Sequence, residues 1–246
     1  KSLFIPLVAL VIAVIYIPQT TNAATYVVNP AGTGDYPTIQ AAINVAVTGD
    51  IIELTDGTFT GAVNRDIDYS LKAVAIRSQS GNPEACVIDC QGSMSEPHIG
   101  FSFRSAETAD YKLVGIKIIN GFSDGFDSNP LGPLAIDVYG ASPTIDGNVF
   151  VGNGIYITRL AKPMIVRNEF RDFNTVNTGG SSPTQISIMS SSTNGPAVNI
   201  VYNTFRNSTF GGSASDGKAI RVRVTNDGVS SAIIRHNLFE SLTGNA

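Results

Sequence analysis

Apolar side chains in this chain come in short runs of five to seven residues, each closed by glycine, asparagine, aspartate or serine. They are Asp50 to Leu54, Leu71 to Arg77, Cys86 to Cys90, Ile99 to Phe103 and Leu113 to Ile119. Runs of that length with that punctuation predict β-strands. No helical period recurs between them, so the chain lacks the crossover helices that usually join parallel strands. Coiling into stacked rungs is the route to a parallel sheet that remains. The one amphipathic stretch lies near the start. Pro37 suits a first helical turn, Ile39, Ala42, Ile43 and Ala46 share a face, and Gly49 marks an end. A helix there predicts an N-terminal cap, since the first rung of a solenoid otherwise exposes an unpaired edge and an open apolar core.

A repeat emerges in the second half. The pattern Ile-x-x-Asn-x-Phe occurs at Ile145 to Phe150, Ile165 to Phe170, Ile200 to Phe205 and Ile234 to Phe239, with its asparagines 20, 35 and 34 residues apart. These intervals fit one rung, or one rung plus a loop excursion. The physics of such a motif places Ile and Phe in the core. It places Asn148, Asn168, Asn203 and Asn237 at a bend, where each amide binds backbone and stacks on the next.

Composition narrows the picture. Charged residues are only 15% of the chain, and the net charge of -4 contains no Lys/Arg run. That argues against nucleic acid and against an anionic membrane surface as partners. Tryptophan is absent, so stacking on sugar rings falls to eight tyrosines and twelve phenylalanines. Leu3 to Ile17 is apolar, follows Lys1, and leads to the small residues Ala23 and Ala24. That pattern predicts a signal peptide over residues 1–24 and a secreted or cell-surface β-helix domain over 25–246. The domain is expected to be monomeric, with no membrane span after cleavage; a retained anchor is the alternative. Because Gly244-Asn245-Ala246 falls inside an unfinished repeat, the domain is expected to continue beyond it. Cys86 and Cys90, four residues apart in one strand, stand about 13 Å from each other and are read as packed thiols.

Three segments then carry a family resemblance: Gly34-Asp35-Tyr36-Pro37-Thr38-Ile39-Gln40-Ala41-Ala42-Ile43, Gly81 to Gly92, and Leu113 to Gly121. Together with Ser142-Pro143-Thr144-Ile145 and Asn148 to Asn153, they resemble bacterial secreted right-handed β-helix repeat proteins of the pectin-lyase-like superfamily. The resemblance implies an all-β right-handed parallel β-helix with a short N-terminal capping helix. It leaves activity open, because that superfamily includes lyases, hydrolases, esterases and adhesins.

A polysaccharide lyase needs a base beside the uronate carboxyl, and Lys117, Arg167, Arg221 and Arg223 lie in strand-like runs. Against it, alternating bases on a solenoid strand are ordinarily a solvated face. A hydrolase needs paired carboxylates; Asp124 and Asp127 in Ser123-Asp124-Gly125-Phe126-Asp127 are the candidates, and the same two are candidate Ca²⁺ ligands. The methylesterase reading fails because Gln40-Ala41-Ala42 lies in the capping helix. His98 and His236 show no triad or metal spacing and are read as surface residues. The loops Thr175 to Thr184 and Ser190 to Pro196 are the expected contact regions. The reading favoured by the residues is a binding or surface role toward a polysaccharide or surface glycan. The alternative is a lyase or glycoside hydrolase acting on uronate-containing polysaccharides.

Overall fold

The structure, a computed structural model, describes residues 22–104, 107–125, 131–174, 184–190, 195–210, 218–224 and 229–244. It is a right-handed parallel β-helix made of three long parallel sheets. The first sheet stacks Thr25–Val28, Ile51–Leu54, Ala75–Ser78, Lys112–Val114, Thr144–Asp146, Met164–Val166, Ala197–Val201 and Ser231–Arg235. The second stacks Gly57–Phe59, Cys86–Asp89, Lys117–Ile119, Val149–Val151, Glu169–Arg171, Thr204–Phe210 and Leu238–Gly244. The third stacks Ile67–Asp68, Phe101–Phe103, Ile136–Tyr139, Ile155–Thr158, Ile186–Ser190 and Ile220–Val224. One antiparallel hairpin, Phe122–Asp124 with Leu131–Pro133, leaves the coil.

Register follows the repeat. Ile145, Ile165, Ile200 and Ile234 lie opposite one another in the first sheet. Phe150, Phe170, Phe205 and Phe239 do the same in the second, where their rings stack with centroids 4.7, 4.9 and 5.0 Å apart. Between these columns runs the asparagine ladder. Asn168 accepts at Oδ1 from the backbone N–H of Asn148 (2.9 Å) and donates through Nδ2 to the carbonyl of Ile145 (2.9 Å). Asn203 and Asn237 repeat the arrangement one and two rungs on. The ladder satisfies backbone groups that a corner would leave bare inside the core. The residue before each asparagine turns the corner in left-handed backbone: Gly147, Arg167, Tyr202 and His236 have φ of 63°, 55°, 58° and 56°. Only the glycine does so without strain.

Two local expectations are corrected. Leu113 to Ile119 is two strands, Lys112–Val114 and Lys117–Ile119, because Gly115 at φ 66° turns the chain from the first sheet into the second. The helix is shorter than Pro37 to Gly49. It runs Ile39–Val45, with Thr38 as its cap, accepting at Oγ1 from Ala41 N–H (3.1 Å), and the backbone is already extended at Ala46. Its predicted face is right: Ile39, Ala42, Ile43 and Ala46 are buried. They close the core against Thr25–Val28, Ile51–Leu54 and Ile67–Asp68.

Cys86 and Cys90 are free and buried. Burial pushes the Cys86 thiol from its usual value near 9 up to about 12, and pushes Cys90 up as well. Both are therefore protonated and unreactive at neutral pH. The stability that this neutral state contributes is full below the unfolded thiol pKa near 9 and is lost as pH rises toward about 12. A thiol-titrating disulfide reagent at mildly alkaline pH is expected to label neither cysteine in the native protein and both in urea. Rapid native labelling would contradict the buried placement.

Candidate functional site

Two of the four expected bases, Lys117 and Arg167, are already engaged. Lys117 lies on the outer face of the second sheet, with Nζ 3.1 Å from Glu84 Oε2. Arg171 binds the same Glu84 (2.7 Å) and Glu169 (2.8 Å), and Arg206 also holds Glu169 (2.6 Å). The Arg171 guanidinium is the main reason the Glu84 carboxyl sits below the usual carboxylate range. Arg167 stands at a corner two rungs away, side chain 65% exposed, paired with Asp146. Lys117 and Arg167 thus belong to separate ion pairs and do not converge.

Asp124 ends one arm of the hairpin and lines a cavity of about 140 Å³ with Asp66, Pro97, His98 and Phe122. There His98 Nδ1 lies 2.6 Å from Asp66 Oδ2, whose other oxygen accepts from Ile99 N–H. Asp127 lies outside the described residues, as do most of the two loops expected to make contacts. Among the described residues, no three His, Cys, Asp or Glu side chains are placed to hold a metal ion. His236 stacks on Tyr202 at 4.8 Å.

A different set of residues converges on the outer face of the third sheet. Pairing aligns Asp68, Ser102, Asp137, Tyr156, Ser187 and Arg221 in one outward row. A second row aligns Tyr139, Thr158, Met189 and Arg223. Outward positions of a solenoid are ordinarily wet, yet Asp137 and Tyr156 are each 1% exposed and Thr158 is 6%. A carboxylate so buried needs a counter-charge, and Arg104 supplies it, with Nε 2.6 Å from Asp137 Oδ2. The guanidiniums of Arg104 and Arg159 lie 5.9 and 4.9 Å from the Tyr139 ring centroid. The Tyr156 hydroxyl donates to Met189 Sδ (3.3 Å).

Burial first, then Asp137, pushes the Tyr156 phenol up to about 12, while Arg223 and Arg221 pull it down. At neutral pH this phenol is a hydrogen-bond donor and not a base. Among the described residues, Thr158 Oγ1 is buried without a hydrogen-bond partner. Among the described residues of these rows and their ends, Arg104, Arg159, Arg221 and Arg223 outnumber Asp68 and Asp137. The arrangement suits an anionic, hydroxyl-rich ligand laid across successive rungs: planar guanidiniums for carboxylates, with phenol and threonine hydroxyls for the sugar oxygens.

Of these residues the sequence singled out only Arg221 and Arg223. A usable signal was present, because strict alternation in Ile136-Asp137-Val138-Tyr139 and Ile155-Tyr156-Ile157-Thr158 puts each pair of polar residues on one face. No protein-family model matches the chain, and no curated protein matches it.

Proposed function

We propose that this chain is a secreted or cell-surface carbohydrate-binding protein of the pectin-lyase-like kind, which holds an acidic polysaccharide across the outer face of the third sheet. One observation carries the reading: on a face that should be wet, Asp137 and Tyr156 are buried among four arginines drawn from three rungs of the same sheet. Buried polar groups convergent from several rungs are the ordinary signature of a ligand site. The rungs repeat at about 4.8 Å, so charged groups recur along the helix axis at the scale of a linear polymer.

The Asp137 and Tyr156 pair favours one second reading, an enzyme in which the protonated Tyr156 donates to a leaving oxygen. Binding is the stronger reading because the chemistry also requires a base, and Asp137 is committed to Arg104.

Titrating a uronate tetrasaccharide into wild type and into an Arg221→Ala, Arg223→Ala double variant separates the outcomes. A charge-assisted hydrogen bond contributes about 1.5 to 3 kcal/mol, so the double variant is expected to bind at least about tenfold more weakly. Unchanged affinity would contradict the site. Ultraviolet absorbance in the same samples is expected to stay flat. A rise from unsaturated sugar ends that vanishes in Tyr156→Phe would replace binding by lyase chemistry.

A further inference from the structure

A second recess, of about 530 Å³, lies on the outer face of the first sheet, within the size range of about 300 to 1,000 Å³ common for small-molecule sites. Its origin is a small residue in register between larger ones: Ala75 lies opposite Ile51 on one side and Lys112 on the other. The dent extends over Gly49, where an added Cβ would meet nothing within 4 Å. Ile51, Ala75 and Val114 give it an apolar floor, and Arg77, Asp110 and Lys112 give it a charged rim. Arg77 is drawn to Glu53 at 2.6 Å and is half-exposed. Among the described residues, no ion pair or side-chain hydrogen bond engages the Lys112 ammonium or the Asp110 carboxylate. An apolar floor under an unpaired cation, an unpaired anion and a partly exposed guanidinium matches one kind of small ligand. That ligand is a ring with an apolar C–H face, hydroxyls to donate and a carboxylate to accept.

We propose that this recess is a second saccharide site, which takes a uronate residue with its carboxylate on Lys112 and Arg77 and a hydroxyl donating to Asp110. The inference rests on the carbohydrate reading of the third sheet and adds a consequence. The two sites occupy different faces of a rigid solenoid, so a single copy holds two polysaccharide segments and acts as a non-covalent cross-link.

Calorimetric titration of the full chain with tetragalacturonate is expected to give two sites per protein. Ala75→Trp, which fills the recess from an outward position, and Lys112→Glu, which reverses its cation, are each expected to leave one. Thermal unfolding checks that both variants fold, and having two variants guards against the failure of either. A single site that is lost in the Arg221→Ala, Arg223→Ala variant and untouched by Ala75→Trp and Lys112→Glu would overturn the recess and leave the third-sheet reading standing. A single site lost with Ala75→Trp alone would do the reverse. No binding to wild type would overturn both.

Discussion

Asn168→Ala is expected to destabilise the protein by about 3 to 5 kcal/mol, a large part of the 5 to 15 kcal/mol that holds a typical domain folded. The side chain is buried in mid-ladder, and it accepts from Asn148 N–H and donates to the Ile145 carbonyl. Alanine leaves the Asn148 N–H without a partner in a place water does not reach, at about 1 to 3 kcal/mol, and removes the amide's bonds to the Ile145 carbonyl and to Asn203 Oδ1, at about 0.5 to 1.5 kcal/mol each. Urea denaturation followed by far-ultraviolet circular dichroism should show a lower midpoint with little change in slope. Asn237→Ala, at the more open end, should cost much less, since Asn237 is only partly buried. Equal losses at the two positions would mean that the ladder is not what holds the corners.

Phe170→Ala is expected to cost about 3 to 5 kcal/mol for a different reason, the cavity left in a packed core. Phe170 is fully buried between Phe150 and Phe205, with ring centroids 4.7 and 4.9 Å away. No neighbour can collapse into the gap without breaking the register of two rungs. Phe239, in the same column but 49% exposed, provides the internal control, and its replacement by alanine should cost under about half as much. Melting curves of the two variants side by side decide the matter; a loss below 1 kcal/mol at Phe170 would contradict the stacked core.

These two residues were legible in the sequence because a solenoid repeats its local problem at every rung. Four of the first-to-second-sheet corners combine an inward isoleucine, a hydrogen-bonding asparagine and an inward phenylalanine, so the same solution is written out four times. What the linear pattern hid was the corner itself. At Gly115 one apolar run bends into two strands, and nothing in hydrophobicity alone marks the turn.

The face proposed to bind ligand was less legible, also for a physical reason. Asp137, Tyr156, Ser187 and Arg221 are neighbours in one row but stand 19, 31 and 34 residues apart, because loops of different length separate the strands. Local reading favoured Lys117 and Arg167 as exposed bases, since their carboxylate partners, Glu84 and Asp146, sit in other rungs 33 and 21 residues away. Asp124, noticed in the sequence as part of an acidic loop, ends a strand of the hairpin. Its cavity neighbours Asp66 and His98 come from earlier rungs and had no linear signal.

In the proposed function, arginines on the third sheet recognise the carboxylates of an acidic polysaccharide. Calorimetric titration with a uronate tetrasaccharide and with its fully methyl-esterified counterpart tests it most directly, because the ester keeps the ring and its hydroxyls and removes the charge. The acid is expected to bind at least about tenfold more tightly than the ester, and added salt is expected to narrow the difference. Equal affinity for acid and ester, insensitive to salt, would contradict it.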